Sequence, residues 1–339
     1  MIGRYRPHGP LRWLLDALPT HSKWDVIGSL GAEARCTTVP CEIRSLDKLE
    51  SCLLLKVRDQ PSPFMDDVAK AVEVRRKKMA RALGNSFRVI EAELMSDLPE
   101  LDPIWDDLES VLTGHVILDI SCLPKRFFFY LLRRLQKSTK ISTLIVTVTI
   151  PERYGSELSW NAGPWDFLPS FGREHSGQVQ PLLIIAVGYQ HLTLLNIVEE
   201  GEPRTVRLLF PFPSKPPGGI RNWEFVRNIE HEKKFKLRPT DVIRVNPQET
   251  SIAFDLLTGQ CVGETNEVWL APFGPKSISL AMALFALARE ASGLPVSVGY
   301  NQPPAYSATY SIGVERRTDG TPLVHAYLVK ASGIAFYTL

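Results

Sequence analysis

Apolar residues along this chain gather in short runs rich in Val, Ile and Leu, and between them lie longer stretches of helical period. In the first half the runs predict strands at 24–30, 52–57, 87–94, 116–121 and 143–150, with helices near 65–83, 104–112 and 125–136. Near-continuous apolar strands that alternate with helices across short loops fit a parallel sheet covered on both faces. From Pro181 the pattern restarts, with strands at 182–188, 206–211, 242–245, 268–272 and 296–300 and helices near 191–200, 221–234, 250–257 and 276–290. The expected fold is therefore α/β: two Rossmann-like parallel-sheet halves, 1–155 and 181–339, related by internal duplication. Between them 156–180 carries glycine, proline and two tryptophans without a period, and is expected to be an ordered linker.

The duplication rests on detail. "HVILDISCLPKRFFFYLLRRL" and "EVWLAPFGPKSISLAMALFALA" both run strand, short loop, Pro-Lys, apolar helix. Pro124 precedes Pro151 by 27 residues and Pro275 precedes Pro303 by 28, and each second proline is followed three positions later by a tyrosine, Tyr154 or Tyr306. Four ordered elements at matched spacing imply that Lys125 matches Lys276 and Tyr154 matches Tyr306.

Composition narrows the function without naming it. The 339 residues suffice for two domains, and 39 Lys+Arg against 37 Asp+Glu leave a formal charge of +2, so any anion site must be local. Five cysteines without a C-x-x-C or a zinc spacing fit a reduced, cytoplasmic setting, with no metal and no cofactor expected. The N-terminal apolar run is too short and too charged for a signal peptide, and no later run is long enough to span a membrane.

Ligands of open parallel sheets bind at the carboxyl ends of the strands. Both Pro-Lys pairs should sit there, where free N–H groups and the helix dipole favour an anion and a lysine is otherwise out of place. Lys125, Arg126 and Lys276 are thus candidate anion ligands, together with Ser121 and Ser277 beside them. "GSLGAEAR" after the first strand adds Ser29 and Arg35, "PFPSKPPGGIRNWEF" adds Lys215 and Arg221, and the Pro-x-x-Tyr turns add Tyr154, Gln302 and Tyr306. The plainer reading has the lysines snorkelling into solvent or pairing with a carboxylate such as Asp119. Catalytic groups are not expected: there is no G-x-S-x-G or H-E-x-x-H, no dinucleotide or Walker loop, and Cys122, near Lys125 and Arg126, has no base assigned to it. The basic run "VEVRRKKMAR" lies on a predicted helix and reads as a solvated face or a nucleic-acid contact.

A doubled Rossmann-like chain with a Pro-Lys turn opening the helix after the fourth strand of each half resembles the CARF and SAVED sensor domains of prokaryotic defence systems. The resemblance implies a CARF-like fold, binding of a nucleotide such as a cyclic oligonucleotide, phosphate or ribose contacts from Lys276, Ser277, Ser121, Lys125 and Arg126, and a separately encoded effector as partner. It suggests a homodimer, whereas the internal repeat would let a monomer suffice. The turn here reads Pro-Lys where CARF loops usually read Lys-Pro, and no effector module is recognisable. An enzyme acting on a phosphorylated ligand at the same edge, or a structural subunit, are the alternatives.

Overall fold

The computed structural model describes residues 5–18, 23–161, 163–172, 180–188, 205–214, 218–231 and 237–339. In chain order its first elements are β1 (His8–Pro10), α1 (Leu11–Ala17), β2 (Trp24–Ser29), α2 (Thr38–Ser45), β3 (Leu49–Arg58), α3 (Met65–Leu83), β4 (Phe87–Glu93), α4 (Leu98–Val111), β5 (His115–Asp119), α5 (Lys125–Lys137) and β6 (Thr143–Thr149). There follow β7 (Arg153–Tyr154), β8 (Ser159–Trp160), β9 (Trp165–Phe167), β10 (Leu182–Ala186), β11 (Thr205–Pro211), α6 (Gly218–His231), β12 (Val242–Val245), α7 (Thr250–Gln260), β13 (Val268–Pro272), α8 (Lys276–Ala291) and β14 (Val296–Asn301). The last are β15 (Ala305–Tyr306), β16 (Ser311–Ile312), β17 (Val324–Ala331) and β18 (Ile334–Ala335).

Two compact units result. The first comprises Arg4–Asn161 and Pro303–Phe336, the second Ala162–Gln302 and Tyr337–Leu339. The first unit's sheet runs β1-β17-β6-β5-β2-β3-β4, and the second unit's runs β12-β11-β10-β13-β14-β9. Within each, the five main strands pair in parallel, β2 with β3 and β5 in one and β10 with β11 and β13 in the other. In each the first strand is central, the second and third lie on one side and the fourth and fifth on the other, which is the Rossmann order. An antiparallel strand then borders the fifth: β17 on β6, and β9 on β14. The chain is thus an α/β protein that writes one sheet topology twice.

The elements follow from the side chains. All six residues of β2 are buried, as a central strand covered on both faces requires. At the outer edge β4 is half exposed and pairs its charges with β3: Lys56 lies 3.0 Å from Glu91 and Arg58 2.5 Å from Glu93. Such charges blunt an open edge. Helix α8 is buried on every side from Ser277 to Arg289, which its small and apolar residues allow. Phe254 of α7 packs edge-on against Phe285 of α8 and against Tyr337, which joins the chain's last residues to the second unit.

Three expectations are corrected. Helix α4 begins at Leu98 rather than near 104, because Asp97 and Glu100 form a capping box and Pro99 suits a first helical turn. The segment 181–339 is not one half: 303–336 belongs to the first unit, where β17 supplies a mixed edge and pairs antiparallel with β6. Nor is 156–180 a separate linker, since β8 pairs with β15 in the first unit and β9 with β14 in the second. The helix expected at 191–200 lies outside the described residues. No helix among the described residues is long and apolar enough to cross a membrane.

Candidate functional site

The carboxyl edge of the first sheet is built by four loops. The loop after β2 carries Gly31, Glu33 and Arg35; that after β5 carries Ser121, Cys122 and Pro124; that after β3 carries Asp59; and the chain beyond β6 runs to Tyr154. The segment 303–315 lies across this edge as a strap. It is held by the short pairs β15–β8 and β16–β7, by Gln60 N–H on the Pro304 carbonyl at 2.9 Å, by Tyr306 N–H on Asp59 Oδ2 at 2.8 Å, and by Glu315 N–H on the Ile150 carbonyl at 2.9 Å.

Arg35 is the charged centre. It is 2% exposed and spends its guanidinium on three neighbours: Nε donates to Ser311 Oγ of the strap at 3.0 Å, Nη1 to the Thr149 carbonyl at 3.1 Å, and Nη2 to Glu33 Oε2 at 2.5 Å. Burial disfavours the cation, but Glu33 leads the charges that outweigh it and hold its pKa above the ordinary value. Ser311 in turn donates to Glu33. Both members of this ion pair lie on the β2 loop, and the Ser311 hydroxyl that bonds each of them ties that loop to the strap.

Asp119 ends β5, 2% exposed and near enough to Arg35 to feel its charge. Its Oδ1 accepts from the Ser121 N–H at 3.1 Å, from the Ser121 hydroxyl, and from the Thr147 hydroxyl at 3.3 Å. Burial pushes the carboxyl up to about 6, with Ser121 opposing. Asp59, half-buried, is likewise pushed to about 6 by burial against the single opposing bond from Tyr306 N–H. Burial also raises the Cys122 thiol well above its usual range, so the neighbouring cations do not activate it. Tyr154 keeps 38% of its surface exposed, though burial of its hydroxyl raises that pKa against Arg35. Its ring meets Tyr310 at 6.1 Å, and Tyr306 meets Tyr310 at 5.8 Å, both edge to face.

Thr149 was missed by sequence reasoning. Its backbone N–H donates to Ser121 Oγ at 2.8 Å and its carbonyl takes Arg35, yet its hydroxyl is fully buried without a hydrogen-bond partner. Asn301, which ends the fifth strand of the second sheet, has a buried Oδ1 in the same condition. A polar residue as the last residue of the fifth strand in both halves was the available signal.

Lys125 and Lys276 each open the helix after the fourth strand of their own sheet. Each follows a proline N-cap of near-identical conformation, φ −55° and ψ 149° at Pro124, φ −54° and ψ 155° at Pro275. The expected equivalence of the lysines holds topologically. Lys125 is 7% exposed and Lys276 half-buried. The tyrosines do not correspond: after β14 the chain leaves the second unit, so Tyr154 and Tyr306 both belong to the first.

Other candidate residues are engaged in holding the fold. Arg126 donates to the Ser96 carbonyl at 2.7 Å and pairs with Asp97, fixing α5 to the cap of α4. Ser121 serves Asp119 and Thr149, and Ser277 donates to the Pro247 carbonyl while Thr250 Oγ1 bonds the Ser277 carbonyl at 3.0 Å. Ser29 and Gln302 are buried at the ends of their strands, and Arg221 lies half-buried in the first turn of α6. Lys215 lies outside the described residues.

The second switch point differs. A Cβ on Gly188 would lie 2.0 Å from the Phe273 carbonyl oxygen, and one on Gly274 2.9 Å from that of Val187, so the loops after β10 and β13 are pressed together. At Gly31, equally two residues past its strand, a Cβ would meet only Ser29 Oγ at 3.6 Å and Cys122 Cβ at 4.0 Å. Gly31, Ala32, Glu33 and Cys122 also keep partial access to solvent.

No protein-family model and no curated protein matches the chain. Among solved structures, a protein of Pseudomonas aeruginosa UCBPP-PA14 assigned to the universal stress proteins is similar at 15% identity and TM-score 0.24. A functionally unknown protein of Pseudomonas aeruginosa PAO1 is similar at 12% identity and TM-score 0.25. Each match covers 84% of this chain and 94% of the other. Likeness at this level carries no argument about function, and the fold rests on the strand order above.

Proposed function

We propose that the first unit binds a nucleotide or another phosphorylated ligand between the β2 and β5 loops, and that its strap passes occupancy to a separate effector protein. The observation that carries this reading is buried Arg35 at the topological switch point, paired to Glu33 and to Ser311 of the strap. A phosphate is a stronger partner for a guanidinium than one carboxylate oxygen and one hydroxyl. Taking Arg35 from them would release the strap on one side, so binding and signal share one ion pair. Lys125 in the first turn of α5 and the Thr149 hydroxyl stand beside the same loops. The resemblance to CARF and SAVED domains makes cyclic oligonucleotides the first ligands to try, in the setting of prokaryotic defence.

The test is thermal unfolding of the full chain with cyclic and linear oligonucleotides, mononucleotides and inorganic phosphate, run on wild type and Arg35→Lys. A true ligand at 100 times its Kd should stabilise by about 2.7 kcal/mol, and the lysine variant should lose most of that shift. No shift with any ligand, or an equal shift in the variant, overturns the proposal. A second reading, a structural subunit, is favoured by the internal engagement of Ser121, Arg126 and Ser277. It predicts that no nucleotide shifts the transition.

A further inference from the structure

Helix α3 has two faces. Val72, Met79 and Leu83 turn to the core, while Arg75 donates to the Ala32 carbonyl at 3.4 Å. The opposite stripe, Val74, Lys77, Lys78, Arg81 and Ala82, is exposed and lines a shallow cavity of about 570 Å³. These positions follow the i, i+3, i+4, i+7, i+8 spacing of a single helix face. From Val74 to Leu83 the helix carries five cations and no acid, in a chain whose formal total is only +2. Flanking charges are settled locally: Arg76 lies 2.9 Å from Glu73, and Lys70 3.7 Å from Asp67. Lys78 is braced by Thr37 Oγ1 at 3.0 Å, and Lys77 lies 3.7 Å from Glu73 in an exposed pair. Among the described residues Arg81 makes no hydrogen bond or ion pair.

We propose that this stripe docks an acidic amphipathic helix of a partner protein, with apolar side chains over Val74 and Ala82 and carboxylates on Lys77, Lys78 and Arg81. The proposal does not depend on the nucleotide reading. Charge complementarity selects an acidic occupant, and the pattern selects protein over nucleic acid. Val74, 58% exposed, and Ala82 bracket the cations with apolar surface about 12 Å apart along the helix, a spacing that suits side chains on a second helix. A long polyanion would also meet Asp66 and Asp67 in the first turn of α3, and the chain's near-zero net charge offers it little steering.

The probe is a labelled synthetic helix of leucine, alanine and glutamate with its leucines on one face, read by fluorescence anisotropy against the full chain at about 0.15 M salt. Controls are a scrambled peptide of the same composition and a 20-base-pair DNA duplex. The amphipathic peptide should bind more tightly than either. Val74→Asp and the double variant Lys77→Glu, Arg81→Glu should each weaken it by about tenfold or more, since they remove an apolar anchor or reverse rim charges. Unchanged melting of these surface variants will show that the fold is intact. Absence of peptide binding, equal binding of the scrambled peptide, insensitivity to the variants, or tighter binding of the duplex overturns the proposal.

Discussion

The two sheets repeat one strand order but treat their switch points in opposite ways. In the second unit Gly188 is pressed on the Phe273 carbonyl, and the crevice between first and fourth strands is closed by backbone. In the first unit Gly31 has ordinary van der Waals neighbours, and the edge is covered instead by a strap that ends in side-chain bonds to Arg35 and Asp59. Backbone packed on backbone has no cheap second arrangement, whereas a strap held in part by titratable and charged groups, beside its backbone pairs with β7 and β8, offers a ligand side-chain bonds to compete for. Topology therefore repeats a scaffold without repeating a site. Under the proposed function, the different loops decide which copy responds.

The largest effect that would sharpen this comparison is expected at Arg35. Arg35→Leu leaves Glu33 and the Thr149 carbonyl without their buried partner, and breaking such a pair costs about 3–5 kcal/mol. Denaturant unfolding of the full chain measures it. A loss below about 1 kcal/mol would mean that the strap is held elsewhere and that Arg35 is not its latch.

Next come the two glycines. Gly188→Ala forces a backbone shift and should cost about 1–3 kcal/mol or more, whereas Gly31→Ala makes only ordinary van der Waals contacts and should stay within about 0.5 kcal/mol of wild type. Equal costs would erase the distinction between a closed and an open switch point.

Much of this scaffold was legible in the sequence, and the reason is physical. Buried parallel strands must be apolar throughout, so β13 falls at the expected residues, as does α3 with its helical period. The paired Pro-Lys turns are readable because proline fixes a cap conformation that both halves use. The strap was not legible. Its short strands carry neither period nor length, and what holds it is long-range pairing such as Ser311 with Arg35, 276 positions apart. Local pattern was equally blind to β17, whose partner β6 lies far back in the sequence. The fold partners of Arg126 were hidden for a related reason: a cation at a helix start can answer a neighbouring helix cap as readily as a ligand.

The pH response separates the strap's second anchor from its first. Asp59 titrates near 6 in the fold, above the ordinary value of about 4, so the folded protein holds this proton more tightly than the unfolded chain. Its burden on stability is absent below about pH 4, grows between about 4 and 6, and is constant above that range. Asp59→Asn keeps an acceptor for the Tyr306 N–H and removes the charge. The variant should match wild type near pH 4 and exceed it by about 1–3 kcal/mol above pH 6. Asp119, also near 6, adds the same trend to both proteins and cancels in the difference. A difference independent of pH would show that Asp59 carries no such burden.

The smallest effect is the most informative about the crevice itself. Thr149 holds a fully buried hydroxyl with no hydrogen-bond partner, set between a carbonyl that takes Arg35 and an N–H that donates to Ser121. Thr149→Val replaces that hydroxyl with a methyl of similar size and leaves both backbone bonds in place. Removing an unsatisfied buried polar group should raise stability by about 1 kcal/mol. If the hydroxyl is there to meet a ligand, the same substitution should weaken nucleotide binding by about three- to tenfold, the worth of one neutral hydrogen bond. Stability and affinity would then move in opposite directions in a single variant, which neither a packing defect nor a merely structural threonine produces. A variant that gains stability and binds as before would place the ligand elsewhere on the edge, while one that loses stability would mean that the hydroxyl has a partner in the fold. Asn301 marks the same position in the closed second unit, so no change made there should alter nucleotide binding directly. That contrast is the finest test of whether one crevice of the two is the functional one.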